Sequence, residues 1–160
     1  MNHPAKIAVA LSFTLAAAWA QAPAVYTQES QVQRIVVVRL KYGTDMLEGL
    51  KEAVEKEKIK NAVVLSGFGS VTSYHVHVVG NTTFPPKDIF TKTNGPYDLL
   101  TVSGLIMNGR VHAHITLATP EKVIGGHLEP GTSVFTFTNI SLAVLSDSLD
   151  LSRNDDWNWR

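Results

Sequence analysis

Apolar residues recur at every second position through most of this chain, and this alternation is the strongest constraint on its fold. The stretch "RVHAHITLA" places Val111, Ala113 and Ile115 on one face and His112 and His114 on the other. Successive side chains of a β-strand point to opposite faces, so the stretch is predicted to be a strand whose apolar face meets the core. The two histidines are then expected on the opposite face.

Six further stretches are strand-like: "QVQRIVVVRL", "NAVVLSG", "VTSYHVHVV", "YDLLTVSGLIM", "KVIGGHL" and "SVFTFTNISLAVLS". "FGS" is interpreted as a turn between the second and third of these, and "GNTTFPPKDIFTKTNGP" as an irregular loop, because it contains three prolines and two glycines. Only "TDMLEGLKEAVEKEKI" has a helical period, with Asp45 and Glu48 forming a capping box. One helix among about seven strands predicts a single α+β domain with a largely antiparallel sheet.

The first 22 residues, "MNHPAKIAVALSFTLAAAWAQA", are typical of a secretory signal peptide. Lys6 precedes an apolar run from Ile7 to Ala20, and small-residue cleavage patterns follow it. A membrane anchor is the alternative, but the run is shorter than the roughly 20 residues that span a bilayer. We therefore expect a periplasmic or secreted protein, not attached to a membrane after cleavage, that begins at Gln21 or Pro23.

The remaining chain divides into a linker at residues 23–30, one domain at 31–146 and a C-terminal tail at 147–160. It contains no cysteine, which excludes both a disulfide framework and a lipid anchor on an N-terminal cysteine. Packing alone must hold the fold.

The charge of the chain argues against a polyanionic partner. Its 14 basic and 14 acidic residues balance, and loss of Lys6 with the signal peptide would leave 13 against 14. The densest basic stretch, "KEAVEKEKIK", is interleaved with glutamates, whereas binding to a phosphate backbone draws on clustered Lys and Arg. Nucleic acid is therefore not an expected partner.

The segment that follows the His-x-His strand is predicted to form a hairpin. The turn "TPEK" reverses the chain into "VIGGHL", and a loop of two or four residues there makes paired positions sum to 241. His114 then lies opposite His127, with His112 on the diagonal and Glu129 opposite His112. A three-residue loop or a bulge at the glycine pair would break this register.

Three imidazoles at this spacing suit a divalent metal, Zn²⁺ above all, with a fourth position left for water or a small ligand. His112, His114 and His127 are the predicted ligands, and Gly125 and Gly126 would keep the site open.

In an enzyme, Glu129 could act as the base or as a partner of a ligand, and no other catalytic residue is assigned. His75 and His77 share one face of another strand and would line the site if that strand neighbours the hairpin. The alternative is a structural module whose histidines only line a contact between subunits.

In their order along the chain, "YGTDMLEGLKEAVEKEKIKNAVVLSGFGSVTSYHV", "LLTVSGLI" and "HAHITLATPEKVIGGHL" resemble the plant and prokaryote conserved (PPC) domain, also called DUF296. The resemblance implies a compact α+β domain, commonly a trimer, with a metal such as zinc on the three histidines in prokaryotic members. Members of this family are often labelled DNA-binding, and plant members carry separate AT-hook segments. This chain has no Arg-Gly-Arg core of an AT-hook.

Together these observations favour an exported, trimeric, metal-binding domain that binds a small ligand or performs metal-assisted chemistry. DNA binding, as the family label suggests, and a trimer with metal-free histidines are the alternatives.

Overall fold

The structure is a computed structural model that describes residues 23–156 and residue 158. The predicted signal peptide at residues 1–22 lies outside the described residues. None of the helices in the described part has the length and apolar character that spanning a membrane requires. The elements are β1 (Arg34–Lys41), α1 (Met46–Lys56), β2 (Ala62–Val79), β3 (Asp88–Met107), β4 (Arg110–Ala118), β5 (Val123–Leu128), β6 (Ser133–Val144) and a 3₁₀ helix (Ser152–Asp155).

The strands form one antiparallel sheet in the order β1-β6-β2-β3-β4-β5, and β5 additionally pairs with β2. One edge of β2 is shared, because its first part pairs with β6 and its end pairs with β5. The other edge of β2 pairs with β3. The pairings therefore close a ring through β2, β3, β4 and β5, and β6 and β1 extend the sheet beyond that ring.

The single α-helix begins where the capping residues predict. The Asp45 carboxylate accepts a hydrogen bond from the backbone N–H of Glu48 at 3.1 Å, satisfying one of the free donors of the first turn. Leu47, Leu50 and Val54 lie on one face of α1 and are buried in the core. Apolar burial of this face holds the helix against the sheet.

The predicted α+β class, the single domain and the antiparallel sheet are confirmed, but the described residues form six strands rather than about seven. The predicted turn at "FGS" is wrong, since β2 runs unbroken through it. The pairing of β2 with β6 shifts register on both sides of Gly67–Gly69. These glycines accommodate bulges in a long strand, a role that sequence alone does not distinguish from a turn.

The predicted irregular loop is also wrong in extent, because β3 begins at Asp88 and only residues 80–87 lie between the strands. Ser73 pairs with Asn94 and Val71 with Tyr97, so the register shifts where Pro96 lies. A proline has no N–H to give to the ladder and is tolerated at such an irregularity. The polar composition of the segment reflects its exposure in a long hairpin.

Gly104 of β3 lies directly against the backbone of β4. Its φ is +140°, and a Cβ atom there would lie 2.1 Å from the carbonyl oxygen of His112. Only glycine permits this approach, so the position of the His-x-His strand depends on it.

We expect Gly104→Ala to lower the free energy of unfolding by about 3 kcal/mol, because it combines backbone strain with a clash against the neighbouring strand. Gly43→Ala is the matched control, since Gly43 has φ +79° but a Cβ atom there would meet no neighbouring side chain or strand within 4 Å. That variant should lose only about 1 kcal/mol, from backbone strain alone. Urea unfolding of both variants measures the difference, and equal losses would contradict the role of close packing.

Candidate metal centre

The predicted hairpin register is confirmed. Ala118 pairs with Val123 across the turn, and His114 pairs with His127 at the other end of the β4–β5 ladder. The backbone N–H of Thr119 donates to the carbonyl of Lys122 at 2.9 Å and closes the turn. The loop at residues 119–122 has four residues, one of the two lengths for which this register was predicted.

The pairing of β5 with β2 brings a further histidine to this place. His77 of β2 pairs with His127 on the edge of β5 that faces away from β4. His77, His127 and His114 therefore form a row across three neighbouring strands. Gly126 permits this pairing, because a Cβ atom there would lie 2.6 Å from the carbonyl oxygen of His77.

The imidazole rings of His77, His112 and His114 all lie beside the ring of His127. Ring centroids lie 4.5 Å apart for His77 and His127, 4.7 Å for His112 and His127, and 5.2 Å for His114 and His127. The Nε2 atoms of His112 and His114 are 3.2 Å apart. We refer to His77, His112, His114, His127 and Glu129 as the histidine cluster.

Glu129 lies beside a different histidine from the one predicted. The β4–β5 ladder ends at His114 and His127, and the backbone N–H of Glu129 donates to the carbonyl of His75 on β2 at 3.0 Å. Its Oε1 atom is 2.7 Å from Nδ1 of His77 and 3.6 Å from Nδ1 of His127. The expectation that Glu129 opposes His112 is therefore wrong, because the chain follows β2 after β5.

Several donor atoms in the histidine cluster are close enough to share an ion. One ligand atom each from His77, His127 and Glu129 lie within 4.8 Å of one another. The Nδ1 atom of His127 is buried and has no hydrogen-bond partner among the described residues, since its distance of 3.6 Å to Glu129 is too long for a hydrogen bond. Imidazole nitrogens with one carboxylate are a donor set that suits Zn²⁺, so the residues present fit a divalent metal.

Burial and mutual repulsion favour the neutral form of two of these histidines. Partial desolvation, followed by the charges that His112 and His77 would carry, lowers the pKa of His114 below its usual value of 6.5. The same causes, with His114 added, lower the pKa of His127, which Glu129 only partly offsets. Neutral imidazole is the form that binds a metal.

Outside the predicted set, Asp155 contacts His112. Its Oδ1 atom is 3.0 Å from Nδ1 of His112, and its Oδ2 atom is 2.6 Å from Nη2 of Arg110. Asp155 lies in the predicted C-terminal tail, 43 positions after His112. No local spacing signals such a contact, so sequence analysis missed it.

The other predicted lining residues have more peripheral positions. Nδ1 of His75 is 2.8 Å from the carbonyl oxygen of Pro130 and its ring lies beside Phe90, so His75 is occupied outside the cluster. A Cβ atom on Gly125 would lie 3.0 Å from the carbonyl of Ile115, which makes this glycine part of the close β4–β5 approach. This packing alone explains a glycine at the position, and the expectation that Gly125 keeps the site open stays a prediction.

Similar folds occur in solved structures. The chain is 25% identical to a metal-containing protein from Archaeoglobus fulgidus, with a TM-score of 0.68, over 76% of this chain and 86% of that one. A candidate DNA-binding protein from Bacteroides thetaiotaomicron has the same fold, with 15% identity, a TM-score of 0.62 and coverage of 76% and 85%.

Among curated proteins, the chain is 29% identical over 126 residues to the bifunctional protein GlmU of Synechococcus sp. (strain JA-3-3Ab). That match covers 77% of this chain, which spans only 19% of the relative's length. Residues 27–146 match the model of the Plants and Prokaryotes Conserved (PCC) domain. The match includes all six strands and the helix, and the chain belongs to this domain family.

Proposed function

We propose that the histidine cluster binds a divalent cation, with Zn²⁺ as the preferred ion, and presents it to a small ligand. The observation that carries this proposal is the convergence of donors from three strands, with ligand atoms of His77, His127 and Glu129 within 4.8 Å of one another. The 3.2 Å separation of Nε2 in His112 and Nε2 in His114 adds support, since two nitrogens this close can bind the same ion. Zinc sites built from histidine and carboxylate donors commonly use three protein ligands and leave a fourth position for water or a ligand.

We propose two overlapping ligand sets. The first is the predicted set, His112, His114 and His127, whose rings are in contact. The second is His77, His127 and Glu129, which among the described residues is the set whose ligand atoms lie within 4.8 Å of one another. His127 is common to both, because its strand lies between β4 and β2. In the first set, Glu129 and His77 are left to contact the bound ligand or to orient His127.

A bound zinc ion would polarise a ligand oxygen and acidify a coordinated water. Glu129 is then the residue best located to accept a proton, because its carboxylate already lies between two histidines. Whether the ligand is only bound or also transformed depends on its chemistry. We propose no reaction.

DNA binding is the alternative that the names of two structural relatives suggest. It would require a basic face to engage phosphates. The chain has equal numbers of basic and acidic residues, and its densest lysine stretch alternates with glutamates. We therefore favour the metal site over DNA binding. Export remains a prediction from residues 1–22.

Self-association, which the family resemblance implies, is favoured by an exposed apolar groove on the sheet. Phe68, Leu100 and Phe135 line this groove with 53%, 53% and 46% of their surface exposed. Phe137 lies edge-on to Phe68 in the same groove. An exposed patch of this kind is typical of a contact between proteins, and we propose that copies of this chain meet there as a trimer.

We expect His127→Ala to abolish zinc binding by the untagged protein, because His127 belongs to both ligand sets. His75→Ala is the control and should retain zinc, since His75 bonds to the Pro130 carbonyl instead. His114→Ala and His77→Ala then separate the two sets. Zinc content by mass spectrometry and titration of zinc affinity provide the measurement. Full zinc content in His127→Ala would remove the proposed site.

Zinc affinity should depend on pH below the ordinary histidine value. Protons compete with the metal for imidazole nitrogens, and the pKa values of His114 and His127 are lowered. We expect the affinity to fall between about pH 6.5 and about pH 5, as protons take these nitrogens. Calorimetric titrations across this range test the expectation. An affinity that stays unchanged down to about pH 5 would contradict zinc binding by these imidazoles.

The trimer predicts a mass of about three times that of one chain by light scattering at micromolar concentration. Leu100→Lys should give a monomer, because it places a charge in the apolar groove. Val79→Lys is the matched control, since Val79 is 65% exposed but lies at the far end of β2. A wild-type monomer, or equal effects of both substitutions, would contradict the proposed contact.

A further inference from the structure

The segment that follows β6 is anchored to the sheet rather than left free. The side-chain amide of Asn61 is buried and donates to the carbonyls of Ser146 and Leu149 at 3.1 and 3.0 Å. Nζ of Lys60 donates to the carbonyl of Asp147 at 2.6 Å, and the Leu151 side chain is buried. These contacts hold the segment against the sheet, so that the 3₁₀ helix lies at the start of β4. Asp155 of this helix is therefore beside the histidine cluster.

The Asp155 carboxylate joins two residues of β4. Arg110 and His112 are two positions apart and therefore lie on the same face of the strand. One oxygen of Asp155 meets the Arg110 guanidinium at 2.6 Å and the other meets Nδ1 of His112 at 3.0 Å. The Arg110 contact holds the carboxylate at this end of β4, with its second oxygen beside the imidazole.

This contact favours one tautomer of His112. An ionised carboxylate 3.0 Å from Nδ1 stabilises a proton on that nitrogen and repels the lone pair that the other tautomer would place there. The lone pair of the neutral ring is then on Nε2, the atom that lies 3.2 Å from Nε2 of His114. A histidine that binds a metal commonly donates its other ring N–H to a carboxylate in this way.

We propose that Asp155 is a positioning residue of the metal site, which orients His112 and fixes its tautomer so that Nε2 is available as a ligand. The inference rests on the proposed metal site for its functional meaning. Asp155 lies beyond residues 27–146, the part that matches the domain family. The C-terminal segment therefore completes a site whose ligands all come from the family domain.

The first test needs no metal. In the full-length, untagged protein at about pH 8 with a chelator, ¹⁵N NMR of the imidazole nitrogens should find His112 protonated at Nδ1. Asp155→Ala should shift His112 toward the Nε2-protonated form, and Asp155→Asn should retain much of the Nδ1 form because its amide oxygen still accepts. A merely structural role of Asp155 would leave the tautomer unchanged, and that result overturns the proposal.

Asp156→Asn is the matched control, since this exposed neighbour contacts the backbone of Asn158 rather than the cluster. It should leave the tautomer of His112 as in the wild type. A shift in this variant equal to that in Asp155→Ala would attribute the effect to disturbance of the segment and would overturn the proposal.

The second test is zinc affinity. Asp155→Ala should weaken it by about 10- to 100-fold, and Asp155→Asn by less. If the wild type binds zinc and Asp155→Ala binds it equally well, the positioning role is wrong although the proposed function stands. If the wild type binds no zinc, the proposed function fails, and the NMR result alone decides whether Asp155 sets the tautomer of His112.

Discussion

The pairing of β5 with two strands at once is the interaction on which the rest of the structure depends. β5 has only six residues, yet it pairs with β4 along one edge and with β2 along the other. This double pairing closes the ring of strands and removes two exposed sheet edges. It requires close backbone approach on both sides, which explains the glycine pair at its centre.

The same pairing creates the histidine cluster. Residues directly opposite one another on neighbouring strands have side chains on the same face, so His77, His127 and His114 stand in a row. His112 lies two positions before His114 on that face. The fold thus concentrates four imidazoles. Partial burial, followed by repulsion from the neighbouring histidines, lowers the pKa of His114 and of His127.

Carboxylates lie on two sides of the four imidazoles. Glu129 follows directly after β5 and contacts His77 of β2, whereas Asp155 reaches His112 from the far end of the chain. Each carboxylate can accept a hydrogen bond from an imidazole N–H and leave the other nitrogen free. Imidazoles beside accepting carboxylates are suited to a cation. The proposed metal site and the proposed role of Asp155 both rest on this arrangement.

The sequence by itself determined the α+β class, the helix with its Asp45 cap, and the register that places His114 opposite His127, because these follow from local periodicity and turn length. It did not determine that Gly67 and Gly69 lie within one strand, since a bulge and a turn have the same local composition. Only the tertiary structure decided that His77 joins the cluster, that Glu129 contacts His77 rather than opposing His112, and that Asp155 contacts His112. These contacts join residues that are 43 to 52 positions apart, and long-range strand pairing and segment packing leave no periodic signal in the sequence.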